Sequence, residues 1–357
     1  MVSRRESWLD ELRGVSICLV IFHHCYLATA ALVEGTGHGF ILPIYTLDTF
    51  VGLVRMPAFF LCSGILFASA SVRGWNWFLR KRLAWTLWVA ALWGWAAAGT
   101  LLSGIDLYPW WEEPGRISTL QLLLIAPIGN MWFVYTIAIL AALAMALRGI
   151  GKVASLLLAV LLSVVALFVN RHVDLPAGIG QVVWNLGLRG FLFFTIGFVF
   201  ADQLIRPRTG RLIGLLLAVV IWAGCYYILK QMEGSTDLCR LALSVPAAFA
   251  AVYALQYLLP KVPRIGRFFA FMGMRSLELF LLHQFLIAAV FPVVQPSILH
   301  DYGDVALAIM FAVTLALSTV AALALRMLPE NAVFALPSRR LSMAVSAMRL
   351  KLQSLRS

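Results

Sequence analysis

Ten separate stretches of mostly apolar residues run through this chain, and they constrain its fold more than any other feature. A helix needs about 20 such residues to cross the hydrocarbon core of a bilayer. Because lipid offers no hydrogen-bond partner to the backbone, segments of this kind are helical. The sequence therefore predicts an all-α, polytopic membrane protein. The predicted spans are residues 13–33, 47–70, 83–103, 129–147, 153–170, 186–203, 211–229, 239–259, 276–296 and 305–327.

The composition supports lipid as the solvent of this chain. Of its 357 residues, 62% are hydrophobic and 12% are charged, whereas soluble domains carry about 25% charged residues. The net charge of +12 does not indicate nucleic-acid binding, because most basic residues lie in short segments between apolar stretches and form no soluble basic face. The five cysteines include no C-x-x-C pair, so we predict neither a metal site nor a disulfide framework.

The basic residues predict the orientation of the spans. Cytoplasmic loops of membrane proteins carry an excess of Lys and Arg. If the N-terminus is cytoplasmic, all but six of the 28 basic residues fall in inner segments or at the inner ends of spans. The six exceptions are Arg55, Arg116, Arg171, Arg189, Lys230 and Arg240. We therefore predict about ten spans with both termini in the cytoplasm.

The two ends of the chain have different predicted roles. The first apolar run continues through Leu32 and Val33, so we expect it to span the membrane rather than to be removed as a signal peptide. We predict a membrane domain over residues 1–330 and a cytoplasmic tail over residues 331–357. The tail has apolar residues three or four positions apart with basic residues beside them, a pattern typical of a helix lying on the inner leaflet.

Several ionisable residues lie inside the predicted spans, where they are costly and usually functional. Arg13 stands at the inner end of the first span, and His24 lies about 16 Å farther along the helix. The second span carries Arg55, and the ninth carries Glu278 and His283. Side chains at similar depth on three helices are stable only if they face one another or a water-filled cavity. We expect these helices to form one polar site.

The chemistry of these residue types suggests two activities. Imidazole can take a proton from a hydroxyl group or carry an acyl group, and an arginine such as Arg13 can bind phosphates through two hydrogen bonds. Together they suit a phosphate-bearing acyl carrier from the cytosol and a sugar hydroxyl from outside, both reaching His24. The residues alone also permit a proton-coupled transporter or a non-catalytic membrane sensor. His23 points about 100° away from His24 on the helix, so we do not expect it to share that role.

Four motifs in order resemble those of the membrane acyltransferase-3 family. The first has an Arg and a His with ten residues between them, as Arg13 and His24 have. The others are Arg55–Gly64, Asn130–Tyr135 and Ser276–His283. Two departures stand out: Trp85 follows Arg82 where the family often has a second Arg, and Phe280 stands where Tyr is common.

The resemblance implies a function as well as a fold. It implies ten helices, an acyl-CoA co-substrate with no tightly bound cofactor, and transfer of the acyl group, mostly acetyl, to an extracytoplasmic carbohydrate. The acceptor would be an exopolysaccharide, a periplasmic glucan or a lipid-linked sugar, and the location a bacterial cytoplasmic membrane. An export protein for a glycan precursor is the alternative. The oligomeric state is left open.

The resemblance and the residue chemistry together assign the site. We predict that His24 and His283 are catalytic and that Arg13 is essential. The donor phosphates would be bound by Arg13, Arg80 and Arg82. The residues expected to position the substrates are Arg55, Ser63, Trp132 and Glu278.

Overall fold

The computed structural model describes residues 7–33, 40, 43–107, 119–176, 178–205, 212–231, 236–294, 303–328 and 333–335. Within these ranges the chain forms helices and short connections, without a strand. Nine of the helices there are long and apolar enough to cross a membrane. The prediction of an all-α, polytopic membrane protein is therefore confirmed. The orientation of the termini stays a prediction.

The helices follow the predicted spans closely. We number them α1 Ser7–Val33, α2 Ile44–Ser71, α3 Gly74–Leu102, α4 Gly129–Ala146, α5 Lys152–His172, α6 Ile179–Val199, α7 Leu212–Gln231, α8 Asp237–Leu258, α9 Pro263–Met274, α10 Ser276–Val294 and α11 Gly303–Arg326. The predicted seventh span corresponds to α7, whose apolar part, Leu212–Ile228, is shorter than the nine other spans.

Helix α9 falls in a segment that the sequence assigned to an inner loop. It has 12 residues, and its buried positions, Gly266, Met272 and Gly273, lie on one face. This face packs along the N-terminal half of α1. The sequence did not reveal this helix, because its basic residues give the segment the positive charge that is typical of a cytoplasmic loop.

Glycines set the distance between the helices that carry the site. A side chain at Gly14 of α1 would meet the carbonyl oxygen of Phe269 in α9, and one at Gly273 would meet that of Asp10. Gly64 of α2 and Gly197 of α6 likewise face backbone of the other helix. Small residues permit this approach in membrane proteins. The inner end of α1 is therefore fixed closely against α9.

Two spans contain a π-helical turn. It occupies Phe78–Leu83 in α3 and Leu186–Gly190 in α6. Such turns insert one residue into the helix and are frequent at functional sites. The first carries Arg80, Lys81 and Arg82, and the second carries Arg189.

A C-terminal segment packs against α3. Phe334 is buried, and its ring stacks on Trp93 with centroids 5.8 Å apart. The indole nitrogens of Trp85 and Trp93 donate to the carbonyl oxygens of Phe334 and Val333, at 2.9 and 3.0 Å. The rest of the predicted tail, residues 331–332 and 336–357, lies outside the described residues. The boundary at residue 330 stays a prediction.

Candidate active site

Two histidines from the first and tenth helices meet inside the bundle. Nδ1 of His24 in α1 lies 3.1 Å from Nε2 of His283 in α10. The ring centroids are 5.0 Å apart. His283 is fully buried, and His24 is partly buried. The structure thus brings together the two histidines that the sequence predicts to be catalytic.

The hydrogen bonds of His283 determine where the ring protons lie. Its Nδ1 lies 3.1 Å from the carbonyl oxygen of Leu279, which only accepts, so this nitrogen carries a hydrogen. In the neutral ring Nε2 is then the acceptor, and it faces Nδ1 of His24 and, at 3.3 Å, the amide nitrogen of Asn130. Nδ1 of His24 therefore donates, and Nε2 of neutral His24 has the lone pair. A lone pair at a fixed nitrogen suits a general base.

A second polar cluster adjoins the histidine pair. Asp48 accepts from Nδ1 of His23 at 2.8 Å and from Nη1 of Arg55 at 3.0 Å. The rings of His23 and His24 are 5.2 Å apart between centroids. Arg55 and Asp48 are both buried, so each charge has a partner of opposite sign in a region poor in water. The predicted role of Arg55 in positioning a substrate stays a prediction, since its direct partner is Asp48.

A cavity of about 500 Å³ lies between α1, α2, α3, α4 and α10. We call it the inner cavity, because Arg13 and the first residues of α10 line it at the predicted cytoplasmic end. It brings together four of the predicted site residues. These are Arg13, Ser63, Arg82 and Glu278.

Arg13 and Glu278 of the inner cavity are held by neighbours on their own and on other helices. Arg13 donates from Nη2 to the hydroxyl of Ser276 at 2.7 Å, and its Nη1 lies 3.4 Å from Oδ1 of Asp10. Glu278 accepts from Nε of Arg326 at 2.9 Å and also pairs with its Nη2. These contacts fix a guanidinium and a carboxylate at the wall of one cavity.

Arg82 is held differently. Its guanidinium lies over the ring of Trp85, with its central carbon 4.7 Å from the centroid. Trp85 is the residue that replaces the second Arg of the family pattern. The replacement therefore supports Arg82 by a cation–π contact instead of adding a charge.

Aromatic rings separate the inner cavity from His283. Phe133 lines the cavity, and its ring centroid is 4.7 Å from that of Phe280. Phe280 in turn lies 5.7 Å from the ring of His283. Among the residues described, neither His24 nor His283 forms part of the cavity wall. A group in the inner cavity would have to pass these rings to reach the imidazoles.

In addition to the two histidines and Arg55, two predicted site residues lie outside the inner cavity wall. Arg80 is exposed on the same π turn that carries Arg82. Trp132 is buried with its ring edge-to-face against Phe133, at 5.9 Å between centroids. Their assigned roles stay predictions, and the geometry gives Trp132 a packing contact behind the wall.

A second, smaller cavity of about 170 Å³ lies between α2, α6 and α8. We call it the outer cavity, because residues 45–55 of α2 line it whereas residues 59–70 of the same helix line the inner cavity. Its charged residues are Asp48, Arg55, Arg189 and Arg240. His23, whose ring neighbours that of His24, contacts Asp48 in the wall of the outer cavity.

The sequence analysis missed three residues of the site. Asn130, Asp48 and Ser276 contact His283, Arg55 and Arg13 directly. A signal for Asp48 existed: it precedes Arg55 by seven residues, which is two helical turns and therefore the same face. Asn130 and Ser276 opened two of the quoted motifs, but nothing in their spacing identified their partners.

The family of this chain is established by a match over most of its length. A family model described as an acyltransferase domain matches residues 6–327. The chain belongs to the membrane acyltransferase-3 family. No curated protein and no solved structure matched the chain. The match covers α1 to α11, so the histidine pair, the outer cavity and all of the inner cavity wall except Phe334 lie inside the family domain of this membrane acyltransferase.

Proposed function

We propose that this acyltransferase moves an acetyl group from cytosolic acetyl-CoA to a hydroxyl group of an extracytoplasmic carbohydrate. The observation that carries the proposal is the contact between His24 and His283. Ring contacts connect this pair to Phe133 of the inner cavity and to His23, which pairs with Asp48 of the outer cavity. A basic cavity at the predicted cytoplasmic end suits the donor. The smaller cavity at the other end suits part of the acceptor.

His24 acts as the general base in this proposal. Its Nε2 takes the proton of the sugar hydroxyl while the hydroxyl oxygen attacks the thioester carbonyl carbon. The new carbon–oxygen bond forms, the carbon–sulfur bond breaks, and the proton passes from His24 to the leaving thiolate. His283 and Asn130 act as positioning residues, since they hold Nδ1 of His24 in its protonated form. General base catalysis of this kind contributes about 10²- to 10⁴-fold to a rate.

The inner cavity provides the donor site. Arg13 and Arg82 would bind the phosphates of the carrier, which are the groups that guanidinium recognises best. The exposed Arg80 on the same turn as Arg82 would add to the positive potential at the mouth. The pantetheine arm would then extend along the aromatic wall toward His24.

An uncharged acyl group fits the basic residues near the histidines. A succinyl group would need a cation to bind its terminal carboxylate. Arg55, the basic residue beside His23, is already paired with Asp48. The other cations nearby, Arg189 and Arg240, line the outer cavity on the acceptor side, so this arrangement favours acetyl over succinyl.

The test uses inside-out membrane vesicles that contain the protein, with glycan inside and radiolabelled acetyl-CoA outside. The wild-type protein is expected to form labelled, alkali-sensitive ester on the glycan. The His24→Ala variant is expected to form less of this ester, by a factor of about 10² or more. The purified His24→Ala variant must elute as the wild type does on size exclusion. Equal labelling by a folded His24→Ala variant refutes the proposal, and glycan transport without ester formation favours an exporter instead.

A further inference from the structure

The outer cavity contains more positive charge than its carboxylate balances. Three guanidinium groups, those of Arg55, Arg189 and Arg240, line it together with the carboxylate of Asp48. Asp48 already accepts from Arg55 and His23. The cavity therefore has a net positive charge before any ligand binds.

Arg189 lies deep in the membrane domain with neutral partners. It is the eleventh of the 21 residues of α6 and is partly buried. Its Nη1 donates to the amide oxygen of Asn185 at 3.0 Å, and its guanidinium lies 4.6 Å from the ring centroid of Trp184. In the described part of the chain, no carboxylate lies within 4.0 Å of its nitrogens. Asp237, the nearby acidic residue of α8, accepts from the indole of Trp184 instead.

A guanidinium at this depth is expensive without an anion. Charged residues inside spans normally pair with one another or line a water-filled path to a substrate. The contacts with Asn185 and Trp184 orient Arg189, but they do not neutralise it. Two of its five N–H donors can still bind one carboxylate or phosphate in a two-pronged contact.

The local backbone directs Arg189 toward the cavity. It lies within the π-helical turn Leu186–Gly190, whose other residues are buried. An inserted residue of this kind redirects the side chains of one turn and is frequent at functional sites. The π turn interrupts the regular α-helical hydrogen bonding, and the side chain that it places in the cavity is the cation of Arg189.

The mouth and the floor of the outer cavity differ in exposure. Tyr45 and Arg240 are exposed at the outer ends of α2 and α8, whereas Arg55 is buried. A volume of about 170 Å³ is below the ~300 Å³ of a site that encloses a whole ligand. The cavity is therefore suited to one charged group of a larger molecule that approaches from outside.

We infer that the outer cavity binds an anionic group of the acceptor, a carboxylate or phosphate on a sugar, through Arg189 with help from Arg240. The inference rests on the proposed function, because it names the class of carbohydrate that the enzyme modifies. A sugar anchored here would lie next to the Asp48–His23 contact and would present a neighbouring hydroxyl to His24. The acceptor is thus an acidic glycan rather than a neutral one.

The first test compares two probes of equal size on the purified protein in neutral detergent. One is an oligosaccharide that contains glucuronic acid, and the other is its methyl ester. The wild-type protein is expected to bind the acid about 10- to 100-fold more tightly, as for hydrogen bonds to a charged group. Arg189→Gln is expected to remove this difference, and Arg189→Lys to retain part of it. Equal binding of acid and ester by the wild type, or an unchanged preference in Arg189→Gln, overturns the inference.

Control measurements distinguish loss of the anion site from loss of folding and from competition by lipid headgroups. Arg171→Gln removes an exposed charge at the end of α5, outside the cavity, and should leave the preference intact. Thermal denaturation of each variant verifies its fold, and Arg240→Gln provides a second variant with a smaller expected loss. The binding is then repeated in nanodiscs of phosphatidylcholine and of phosphatidylglycerol. Loss of sugar binding in the anionic lipid alone means that a lipid headgroup fills the cavity, which overturns its assignment to the acceptor.

A measurement of acetyl transfer distinguishes failure of this inference from failure of the proposed function. Acetyl transfer from acetyl-CoA to each probe is measured in the same preparations. Transfer to both probes with equal efficiency preserves the acetyltransferase and refutes the anion site. Charge-dependent binding without transfer to any probe preserves the anion site and refutes the acetyltransferase.

Discussion

Nδ1 of His24 lies 3.1 Å from Nε2 of His283, although 259 positions separate the two residues in the chain. The contact joins the first and tenth helices of the bundle. Each imidazole restricts the proton position of the other. The carbonyl of Leu279 sets the direction in which the two rings donate their hydrogen bonds. The pair is therefore a polarised unit and not two independent histidines.

This direction predicts different effects for the two histidines. His24→Gln should slow acetyl transfer strongly, because an amide at this position cannot accept the hydroxyl proton at neutral pH. The loss should be about 10²- to 10⁴-fold in kcat, with KM for acetyl-CoA within about threefold of the wild-type value, since the donor residues are untouched. Steady-state kinetics on reconstituted protein measure both. A large rise in KM with an unchanged kcat would show that His24 binds a substrate instead.

His283 and Asn130 should act through His24. His283→Gln replaces the ring acceptor by an amide that can turn either its oxygen or its NH2 group toward His24. Nδ1 of His24 is then no longer held in one orientation, and we expect kcat to fall by about 10- to 100-fold, the usual range for a residue that orients an active ligand. Asn130→Ala removes one of the two donors to His283 and should cost less. The distinguishing measurement is a double variant. If His24→Gln and His283→Gln act as one unit, the double variant is no worse than His24→Gln alone, whereas additive losses would contradict this coupling.

The inner cavity predicts how the donor is recognised. Arg13→Gln and Arg82→Gln should raise KM for acetyl-CoA by about 10-fold or more, the loss expected for a hydrogen bond to a charged group. The same changes should have little effect with acetyl-pantetheine, which lacks the nucleotide phosphates. The ratio of kcat/KM for the two donors is the measurement, and Arg171→Gln is the matched control. A ratio that stays at the wild-type value in both variants would show that neither arginine contacts phosphate.

Ser276 predicts a smaller change of the same kind. Its hydroxyl accepts from Arg13 at 2.7 Å across the gap between α1 and α10. Ser276→Ala should raise KM for acetyl-CoA by about 2- to 10-fold, as for loss of one hydrogen bond, with no further effect once Arg13 is Gln. Kinetics of the single and double variants measure this coupling. An equal effect in both backgrounds would mean that Ser276 acts without Arg13.

The helices of this protein could be predicted because lipid permits few alternatives. A span must be apolar for about 20 residues, so α5 and α11 are evident from the sequence letters alone. The amphipathic α9 could not be predicted in this way, since its apolar face is matched to Gly14 of α1 and not to lipid. A helix whose buried face packs against another helix can be recognised only when that partner helix is known, and the sequence alone does not reveal which helix it is.

The same distinction applies to the site. His24 and His283 could be placed together because an ionisable residue in lipid needs a partner, and few residues lie at that depth. The tautomer could not be predicted, since it depends on how Leu279 and Asn130 direct their oxygen and nitrogen atoms. The positive charge of the outer cavity was also hidden. Arg189 and Arg240 come from α6 and α8, and only packing brings them beside Arg55.

The glycines between α2 and α6 predict an effect on stability that is separate from catalysis. A methyl group at Gly64 would meet the backbone of Phe194, and one at Gly197 would meet that of Leu61. Because backbone cannot yield as a side chain can, Gly64→Ala and Gly197→Ala should each lower the free energy of unfolding by about 1–3 kcal/mol. Gly99→Ala is the control, since its position on α3 has open space around it, and its effect should be within about 0.5 kcal/mol. Thermal denaturation in detergent ranks the three variants, and similar midpoints for all of them would show that the two helices separate easily.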